Sequence, residues 1–429
     1  MKRQAMNQSI TRKKRILYFE ITPDVGGSIT NVLYPVVTKL DLEQYEPLVL
    51  FYWPNPYRER FEASGVRTIV FDKPRPRQHP APVAKLQENK IVRSLQQGKG
   101  RVTDLYHAVG SYVRLSYCIP QILRLMRLIK VHDIDLVHIN GTSIGHGREI
   151  ILAATLAGVP SLCYVQGFNE FQAVDWQIAR LVDQFVYCSD AIGEHCTPSN
   201  GVLSTQACTI YPGVVDVERW SRPYDASRIR REFGWTDQDF VVGVIGRLVS
   251  WKGQDVFLKA LAEVKRELPN VKGLLVGKPD TTHGGGDGDF SPFYRHLLAL
   301  TESLDLSDNV HFAGFRSDIP EILAALDVLV HSSTEPEPFA TAVIEGMMAG
   351  RPVIATKAGG MPEMIEDEVT GRLVLPGDPE SMAQAILFYY RNKVEAKQIA
   401  MAGQERATRD LTAERHVNEF YALYQTLLA

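Results

Sequence analysis

The sequence has little cysteine and no apolar run long enough to cross a bilayer. Its 429 residues include 5 cysteines, none of which stands in a C-x-x-C pair or at the spacing of metal ligands. Scattered thiols of this kind are typical of a reducing compartment and disfavour a disulfide framework. No uncharged stretch reaches the ~20 residues of a membrane helix, and the basic start lacks the apolar core of a signal peptide. We therefore expect a cytoplasmic protein, one that could still lie peripherally on the inner face of a membrane.

Two further features are missing, and each excludes a class of partner. The net charge of −3, from 47 Lys and Arg against 50 Asp and Glu, lacks the positive excess of a nucleic-acid binder, so no nucleic-acid partner is expected. The G-x-G-x-x-G fingerprint is absent from the turn after the first predicted strand, where Gly26 and Gly27 stand instead. This absence disfavours a nicotinamide site, although the two glycines still let the backbone approach a ligand closely.

Apolar, β-branched runs alternate with helical patterns along the chain. The predicted strands are Arg15–Glu20, Glu46–Tyr52, Arg67–Phe71, Asp135–Asn140, Pro160–Val165, Asp183–Cys188, Phe240–Ile245, Gly273–Val276, Val310–Phe312, Val328–Val330, Pro352–Ile354 and Gly371–Leu375. Helices between strands at this spacing predict parallel sheets, whose ligands bind beyond the carboxyl ends of the strands. Because 429 residues exceed one ordinary core, we expect two domains. The predicted fold class is α/β, with two doubly wound, Rossmann-like domains that face a central cleft.

This pattern divides the chain into four predicted segments. Residues 1–14 are basic without hydrophobic period and are expected to form a flexible tail. The N-terminal domain is predicted over 15–212 and the C-terminal domain over 213–405, with the Pro-Gly turn at 212–213 as the crossover. A helical apolar pattern predicts a C-terminal helix over 406–429.

The stretch Glu335–Glu345 combines two carboxylates with a predicted helix start. Glu337 lies in the polar loop after an apolar strand, a helical pattern begins at Phe339, and Glu345 lies more than one turn inside that helix. A helix start presents unpaired N–H groups and a positive dipole end, so it suits an anionic group such as a diphosphate. The alternative is a solvated helix residue and a carboxylate that only complements the dipole.

A second candidate lies in Gly246–Gly253, which follows one predicted strand and precedes a helix. Arg247 and Lys252 emerge from this strand-end loop, close enough to bind one diphosphate from two sides. Arginine offers a planar fork of donors and lysine a point charge. The alternative is a pair of solvated surface cations, which is the better interpretation for either residue taken alone.

These motifs together resemble the retaining glycosyltransferase family 4. Glu337 and Glu345, separated by seven residues, are similar to the paired-glutamate motif of the family, and Gly246–Gly253 resembles its Gly-x-Leu-x-x-x-Lys-Gly signature. Asn309–Arg316 and Ala358–Glu363 also match. The matching segments cover nearly all of residues 240 to 380, so the chain is identified as a member of this family, which has the two-domain GT-B architecture.

The resemblance implies roles for particular residues. Arg247, Lys252 and Glu337 would be catalytic, with the two cations on the donor diphosphate and Glu337 holding a hydroxyl of the transferred sugar. Glu345 would hold the ribose hydroxyls. The remaining positions implied for nucleotide-sugar binding are Gly26, Gly27, Gln166, Phe315, Arg316, Phe339, Ala340 and Thr341, of which Phe315 and Arg316 would lie near the base. Transfer would be a front-face displacement in which a donor phosphate oxygen helps to deprotonate the acceptor. No metal and no cofactor are implied, and the C-terminal helix is expected to cross back onto the first, acceptor-side domain.

The sequence departs from the family pattern at two of these positions. The family usually has glycine where Ala340 stands, and an extra methyl group could shift the sugar pocket. Gln166 occupies the place where many members carry a histidine, and an amide can hydrogen-bond a hydroxyl but cannot titrate. His138, at a strand end, is interpreted as a buried and hydrogen-bonded histidine rather than a catalytic one.

The segment 73–130 is strongly basic. Its positive residues are Lys73, Arg75, Arg77, Lys85, Lys90, Arg93, Lys99, Arg101, Arg114, Arg124, Arg127 and Lys130, against Glu88 and Asp104. In the acceptor-side domain, such a bias would suit an anionic membrane surface or a phosphate-bearing lipid acceptor. A solvated helical face with a proline-rich loop is the alternative interpretation.

The sequence thus predicts a retaining transferase that moves a hexose from a nucleotide sugar, foremost a UDP-sugar, to a hydroxyl of a carbohydrate or lipid-linked acceptor. Two alternatives remain open. One is a sugar-nucleotide epimerase or a phosphorylase of similar architecture, and the other is a non-catalytic partner subunit. The joint presence of Arg247, Lys252, Glu337 and Glu345 disfavours the last.

Overall fold

Two compact α/β units make up the described part of the chain. The structure, a computed structural model, describes residues 12–22, 28–71, 117–141, 147–168, 173–196, 206–279 and 292–429. Unit 1 comprises the residues up to Tyr187, Cys196–Cys208 and Val417–Ala429, and unit 2 comprises Cys188–His195 and Thr209–His416. Each unit holds one sheet flanked by helices, which confirms the predicted pair of doubly wound domains.

The sheet of unit 1 has seven strands. They are β1 (Lys14–Glu20), β2 (Tyr45–Phe51), β3 (Arg67–Val70), β4 (Leu136–Gly141), β5 (Ser161–Val165), β6 (Gln184–Tyr187) and β7 (Ala207–Thr209), in the spatial order β3-β2-β1-β4-β5-β6-β7. Strand β1 pairs in parallel with β2 and with β4, in a register that sets Glu20 opposite Asn140. These two polar residues therefore share the carboxyl edge of the sheet, where the bound ligands of such folds lie.

Helices connect these strands. They are α1 (Tyr34–Thr38), which continues a π-helical stretch over Ser28–Leu33, then α2 (Arg58–Ala63), α3 (Ile119–Val131), α4 (Arg148–Ala157), α5 (Ala173–Ala179) and α6 (Asp190–Cys196). The ends of α4 illustrate the local chemistry, since it stops at Gly158, which adopts a φ of 71°. Glycine takes this left-handed conformation at little cost and so closes helices.

The sheet of unit 2 has six strands, all paired in parallel. They are β8 (Phe240–Ile245), β9 (Val271–Val276), β10 (Val310–Gly314), β11 (Val328–His331), β12 (Val353–Thr356) and β13 (Arg372–Val374), in the order β10-β9-β8-β11-β12-β13. The helices are α7 (Val217–Ser221), α8 (Ser227–Glu232), α9 (Gln254–Glu267), α10 (Pro292–Ser303), α11 (Ile319–Ala325), α12 (Thr341–Met348), α13 (Met361–Met364), α14 (Pro379–Arg391) and α15 (Lys393–Asp410). The last helix, α16 (Ala413–Leu427), begins in unit 2 and belongs to unit 1 from Val417 onward. This strand order is that of a Rossmann fold, in which β8 and β11 flank the switch point.

Both faces of this second sheet are buried, which explains its nearly continuous apolar strands. Alternate residues of β8 point to opposite faces, so Val242 belongs to the same core cluster as Phe257 of α9, while Val241 belongs to the other cluster with Met347 of α12. Parallel strands covered on both sides by helices have this composition. The polar residues that follow β8 and β11 consequently mark the carboxyl edge of the sheet.

The predicted strands are all present, with ends shifted by a few residues, and one strand was missed. Ala207–Thr209 is too short to show an apolar run, and it falls within the expected crossover. The predicted crossover lay at 212–213, whereas the units divide at Cys208 and Thr209. One reason is that the Thr209 hydroxyl donates to Asp190 Oδ1 (2.5 Å), and Asp190 is itself part of unit 2.

The predicted C-terminal helix over 406–429 is a further correction. The first residues of this range end α15, and α16 begins at Ala413. The break has a physical cause, because the backbone of Val214 pairs with the chain between the two helices. Val214 N donates to Leu411 O (3.0 Å) and Ala413 N donates to Val214 O (3.0 Å).

Several predictions fall partly or wholly outside the described residues. The basic tail is described only from Arg12, and of the segment 73–130 only residues 117–130 are described. Within the described ranges, no helix combines the length and the apolar character needed to cross a membrane.

Candidate functional site

Two predicted catalytic residues, Lys252 and Glu337, form a buried ion pair in unit 2. The Lys252 Nζ lies 2.6 Å from Glu337 Oε2, and Glu337 is only 6% exposed. The ammonium also lies 4.7 Å from the centre of the Trp251 ring. The sequence placed these residues in one site, and the structure joins them directly although 85 positions separate them.

Close backbone contacts hold the two loops together. Gly253 has a φ of 65°, and a Cβ there would lie 2.0 Å from Ser332 O. Ser332 Oγ donates to Lys252 O (2.8 Å), and Thr334 N donates to Trp251 O (2.8 Å). Only glycine allows this approach, so the glycine that ends the Lys252 loop seats it against the loop that carries Glu337.

A second glycine pair supports Glu337 from the other side. Gly360 N donates to Glu337 O (2.9 Å). Gly359 has a φ of 58°, and a Cβ there would meet the same carbonyl oxygen at 2.1 Å. The segment Ala358–Glu363 therefore fixes the backbone of Glu337. The family resemblance assigned no role to this segment.

Two further groups contact Glu337 that the sequence did not assign. His331, at the end of β11, places Nε2 2.6 Å from Glu337 Oε1, and the Ser333 hydroxyl donates to the same oxygen. Both side chains are buried. A signal was present, since His331 and Ser333 alternate at the end of an apolar strand and so point the same way. Polar residues with that spacing before a loop carboxylate could have been proposed as its partners.

The environment of Glu337 keeps its carboxyl ionised. Burial opposes ionisation, but the adjacent His331 and the Lys252 ammonium outweigh it and hold the pKa of Glu337 well below its usual range. A buried carboxylate is stable only when paired and hydrogen-bonded. The loop therefore presents a fixed negative charge bound to a fixed positive one.

Glu345 has the opposite environment. It lies one turn inside α12 and is half-buried, and its carboxyl group makes no hydrogen bond or ion pair with the residues that the structure describes. Burial raises the pKa of its carboxyl to about 8, and Arg219 only partly offsets this. The two predicted glutamates thus differ in charge state at neutral pH.

The start of α12 offers backbone donors. Its N-cap residue, Ala340, supplies no side-chain cap to the first N–H groups, and the helix begins at Thr341. Ala340 is buried, and Phe339 stacks on Tyr211 with ring centres 5.5 Å apart. An uncapped helix start of this kind favours an anionic ligand.

The remaining predicted residues of unit 2 are either exposed or already engaged in ion pairs. Arg247 is exposed, and its carbonyl oxygen accepts from the buried Gln254 (2.8 Å). Phe315 is 70% exposed and lies 5.7 Å from Lys278 Nζ. Arg316 forms ion pairs with Asp318 and with Glu232, so its guanidinium is already engaged in a network that joins α8 to the loop before α11.

In unit 1, a chain of hydrogen bonds runs along the carboxyl edge of the sheet. Gln166 Nε2 donates to Asn140 Oδ1 (2.7 Å), and Asn140 Nδ2 donates to Glu20 Oε2 (2.5 Å). Glu20 Oε1 accepts from the Thr22 N–H (2.8 Å) and hydroxyl (2.5 Å). Both carboxyl oxygens of Glu20 accept hydrogen bonds, so Glu20 fixes the orientation of both amides. Burial raises the pKa of Glu20, against the effect of these donors.

Other residues of unit 1 complete the comparison with the sequence. His138 is buried, with Nδ1 2.6 Å from the Tyr424 hydroxyl, as expected for a structural histidine. Gly26 and Gly27 lie outside the described residues. In the described ranges, no group of three or more His, Cys, Asp or Glu side chains could hold a metal ion.

Known proteins resemble this chain in sequence and in fold. The family model "Glycosyl transferases group 1" matches residues 225–406. The D-inositol 3-phosphate glycosyltransferase of Segniliparus rotundus is 33% identical over 238 residues, which cover 53% of this chain and 50% of that protein. "Putative glycosyltransferase EpsD" of Bacillus subtilis is 30% identical over 320 residues, which cover 71% of this chain and 80% of EpsD. The chain spans about half the length of the D-inositol 3-phosphate glycosyltransferases it matches.

Solved structures share the fold. Anabaena Alr3699/HepE, crystallised in complex with UDP, aligns with a TM-score of 0.75 at 22% identity, covering 96% of this chain and 100% of that one. Its complex with UDP-glucose aligns with a TM-score of 0.73 at 23% identity, covering 96% and 99%. At this identity the likeness establishes the two-domain GT-B fold.

Proposed function

Because the chain belongs to the group 1 glycosyltransferases, we propose that it is a retaining hexosyltransferase. Its donor is a nucleotide sugar, and its acceptor is a hydroxyl of a carbohydrate or of a lipid-linked saccharide. The observation that carries the proposal is the buried ion pair between Lys252 and Glu337, which places the ammonium against the loop before the uncapped start of α12. Together these groups offer an anion one ammonium and a row of backbone N–H donors.

The proposed chemistry uses these groups on the leaving diphosphate. As the glycosidic bond breaks, negative charge develops on the phosphate oxygen that departs with the nucleotide. Fixed donors aimed at this charge lower the barrier more than they help ground-state binding. Lys252 supplies the main charge, the N–H groups of Ala340 and Thr341 supply the dipole, and the exposed Arg247 closes on the diphosphate from the strand-end loop. Because these groups provide the positive charge, we propose a metal-independent reaction without a cofactor.

Glu345 is proposed to bind the ribose. With a pKa of about 8 its carboxyl is largely protonated at neutral pH in the empty site. A protonated carboxyl both donates and accepts, which suits the two neighbouring hydroxyls of a ribose. Its lack of partners among the described residues leaves both oxygens for that purpose.

UDP-glucose is the donor we propose to test first. The related fold of Anabaena Alr3699/HepE was crystallised with this nucleotide sugar. In this chain the exposed ring of Phe315 offers a stacking surface for the base. Arg316 contributes through its ion pairs, which hold the loop that carries Phe315 in place.

The acceptor side is proposed from unit 1. The amide of Gln166, oriented by Asn140 and Glu20, offers its carbonyl oxygen to a substrate hydroxyl. By the family resemblance, Gly26, Gly27 and Gln166 are also proposed to bind the nucleotide sugar. The basic segment 73–130 would let a cytoplasmic enzyme bind an anionic membrane that holds a lipid-linked acceptor.

The test is donor hydrolysis by the purified chain. UDP-glucose, GDP-glucose and ADP-glucose are supplied separately, with EDTA present, and proton NMR follows the first-formed anomer of released glucose. We expect UDP-glucose to be hydrolysed fastest and the α-anomer to appear first. A β-anomer would contradict retention, and a requirement for added metal would contradict the metal-independent reaction.

The same assay distinguishes the alternatives. Inversion at C2 would indicate an epimerase, and release of a sugar phosphate that depends on added orthophosphate would indicate a phosphorylase. Nucleotide binding without any turnover, with or without acceptor extracts, would indicate a non-catalytic subunit.

A further inference from the structure

The carboxylate of Glu337 is almost fully occupied by protein groups. Its Oε1 atom accepts from His331 Nε2 (2.6 Å) and from the Ser333 hydroxyl, and its Oε2 atom accepts from Lys252 Nζ (2.6 Å). A carboxylate accepts about four hydrogen bonds in all. One position therefore remains, on Oε2, next to the ammonium.

The hydrogen-bond partners of His331 determine which of its ring nitrogens carries a proton. An ionised carboxylate cannot donate, so the proton of the His331–Glu337 hydrogen bond belongs to Nε2. On the other side of the ring, Nδ1 faces the hydroxyl of Thr356 at 3.5 Å. A hydroxyl can either donate or accept, so Thr356 does not oppose this placement of the proton.

The two ends of this network have different exposure. His331, Ser333 and Thr356 are buried at 7%, 0% and 1% exposure, whereas the Lys252 side chain is 19% exposed. Only the lysine end can reach a ligand, and its ammonium has donors left after the single bond to Glu337. The histidine end therefore acts on a ligand only through the carboxylate.

We infer that His331 is a positioning residue that holds Glu337 from the buried side, so that the Lys252 ammonium keeps a fixed place beside the donor diphosphate. This inference rests on the proposed function, since it assigns a task to the same site. Without His331, Oε1 loses one of its two donors, and the buried carboxylate can rotate away from the lysine or take up a proton. Lys252 then loses its anchor at the step where its charge matters most.

The primary test compares two substitutions of the same histidine. In H331Q the amide nitrogen lies near the place of Nε2 and can still donate to Glu337, whereas H331L offers no donor. We expect the kcat of UDP-glucose hydrolysis to fall about 10- to 100-fold in H331L and by less than about threefold in H331Q, the range for one buried hydrogen bond to a charged group. The Kd for UDP should change by less than about threefold in both variants.

A second comparison, made in the E337Q variant, distinguishes a positioning role of His331 from a general loss of stability. In E337Q protein the intermediary carboxylate is absent, so adding H331L should lower kcat by less than about twofold more. If H331L costs as much kcat in E337Q as in the natural chain, the inference is overturned. It is also overturned if H331Q is as impaired as H331L. Should H331L fail to fold, S333A removes the other donor to Oε1 and should lower kcat about 10-fold with UDP binding retained.

A spectroscopic measurement tests the geometry independently of activity. Long-range 15N–1H correlation should show His331 protonated at Nε2 in the natural chain, with a downfield signal that is lost in E337Q. A neutral ring protonated at Nδ1 would overturn the inference. If the natural chain binds no UDP and hydrolyses no nucleotide sugar while this signal is present, the proposed function fails and the hydrogen-bonded arrangement stands.

Discussion

Glu20 of unit 1 and Glu337 of unit 2 are both buried carboxyl groups at the carboxyl edge of a parallel sheet, with 0% and 6% exposure. Their partners differ in charge. Glu20 is held by the neutral donors of Thr22 and Asn140, and burial raises its pKa. For Glu337 burial acts in the same direction, but His331 and Lys252 bring the pKa far below its usual range. Burial thus opposes ionisation at both sites, and the charge of the partners decides the direction of the net pKa shift.

The difference matches the task proposed for each edge. Neutral, directional hydrogen bonds along Glu20, Asn140 and Gln166 orient an amide, which is what recognition of a hydroxyl requires. The charged pair in unit 2 holds a cation, which is what a diphosphate requires. The same fold therefore occurs twice in this chain. The carboxyl edge of one sheet carries hydrogen bonds from neutral donors, and that of the other carries an ion pair.

The largest expected effect comes from removing the cation that distinguishes Glu337 from Glu20. In K252M we expect UDP-glucose turnover to fall about 10²- to 10³-fold, as for loss of one transition-state donor, with UDP affinity changed less than about 10-fold. Lys259, which pairs with Asp255 on the exposed face of α9, gives the matched control K259M with unchanged turnover. Steady-state kinetics and calorimetry measure both quantities. Equal turnover in K252M and K259M would contradict the assignment.

A smaller effect is expected from separating the two loops that make this charged edge. In G253A a Cβ would meet Ser332 O at 2.0 Å, so we expect unfolding free energy to fall by at least about 3 kcal/mol. Gly234 also has a positive φ, of 69°, but no atom lies within 4 Å of a Cβ placed there. G234A should therefore cost only about 1–2 kcal/mol, the strain of the backbone conformation. Urea unfolding at one pH compares them, and equal losses would show that the close contact is unimportant.

The edge of unit 1 can be tested by moving its carboxyl group from position 20 to position 140. N140D sets a second carboxyl against Glu20 and should lower the unfolding free energy by about 2–3 kcal/mol. In the double variant E20Q/N140D, the new amide at position 20 donates to the new carboxylate at position 140, which again accepts from Gln166. Stability should then return to within about 1 kcal/mol of the natural chain. Urea unfolding checks this cycle. Additive losses in the double variant would contradict the orientation that we derive for the amides.

The smallest effect concerns Glu345, which resembles Glu20 rather than Glu337. Its folded pKa of about 8 lies above the unfolded value of ~4.3, so the folded chain binds this proton more tightly. The resulting stability is complete below pH ~4.3 and is lost as pH rises toward 8. Because the group is half-buried, we expect less than ~1 kcal/mol per pH unit. Comparing urea unfolding of the natural chain and E345Q at pH 5, 6, 7 and 8 isolates this slope. A difference that does not change with pH would contradict the raised pKa.

The strands were predictable because each follows a local rule. Phe240–Ile245, for example, is an uninterrupted apolar run closed by Gly246, and the structure has the same bounds. Ala207–Thr209 has no such run and exists only because the sheet supplies a neighbour. Local pattern therefore identifies strands with a continuous apolar run and misses a short strand that is defined mainly by its pairing.

The residues of the site could be predicted from the sequence, but the contacts between them could not. Lys252 and Glu337 could be named from their motifs, but their ion pair depends on the approach of Gly253 to Ser332, which no spacing along the chain reports. Arg316 shows the converse. Its motif suggested a ligand contact, whereas its partner Glu232 lies 84 positions away and occupies the guanidinium. Long-range pairing decides which charges remain available to a substrate.

The segment Val417–Ala429 has a consequence for synthesis. It belongs to unit 1, where Tyr424 bonds His138 and Phe420 lies 5.0 Å from the same ring. Until this segment is translated, the core of unit 1 lacks both aromatic side chains, while every residue assigned to unit 2 has already been made. During synthesis on the ribosome, an amino-terminal domain normally folds first. Here the unit whose strands leave the ribosome first receives the last part of its core only after the residues of its neighbour have been made.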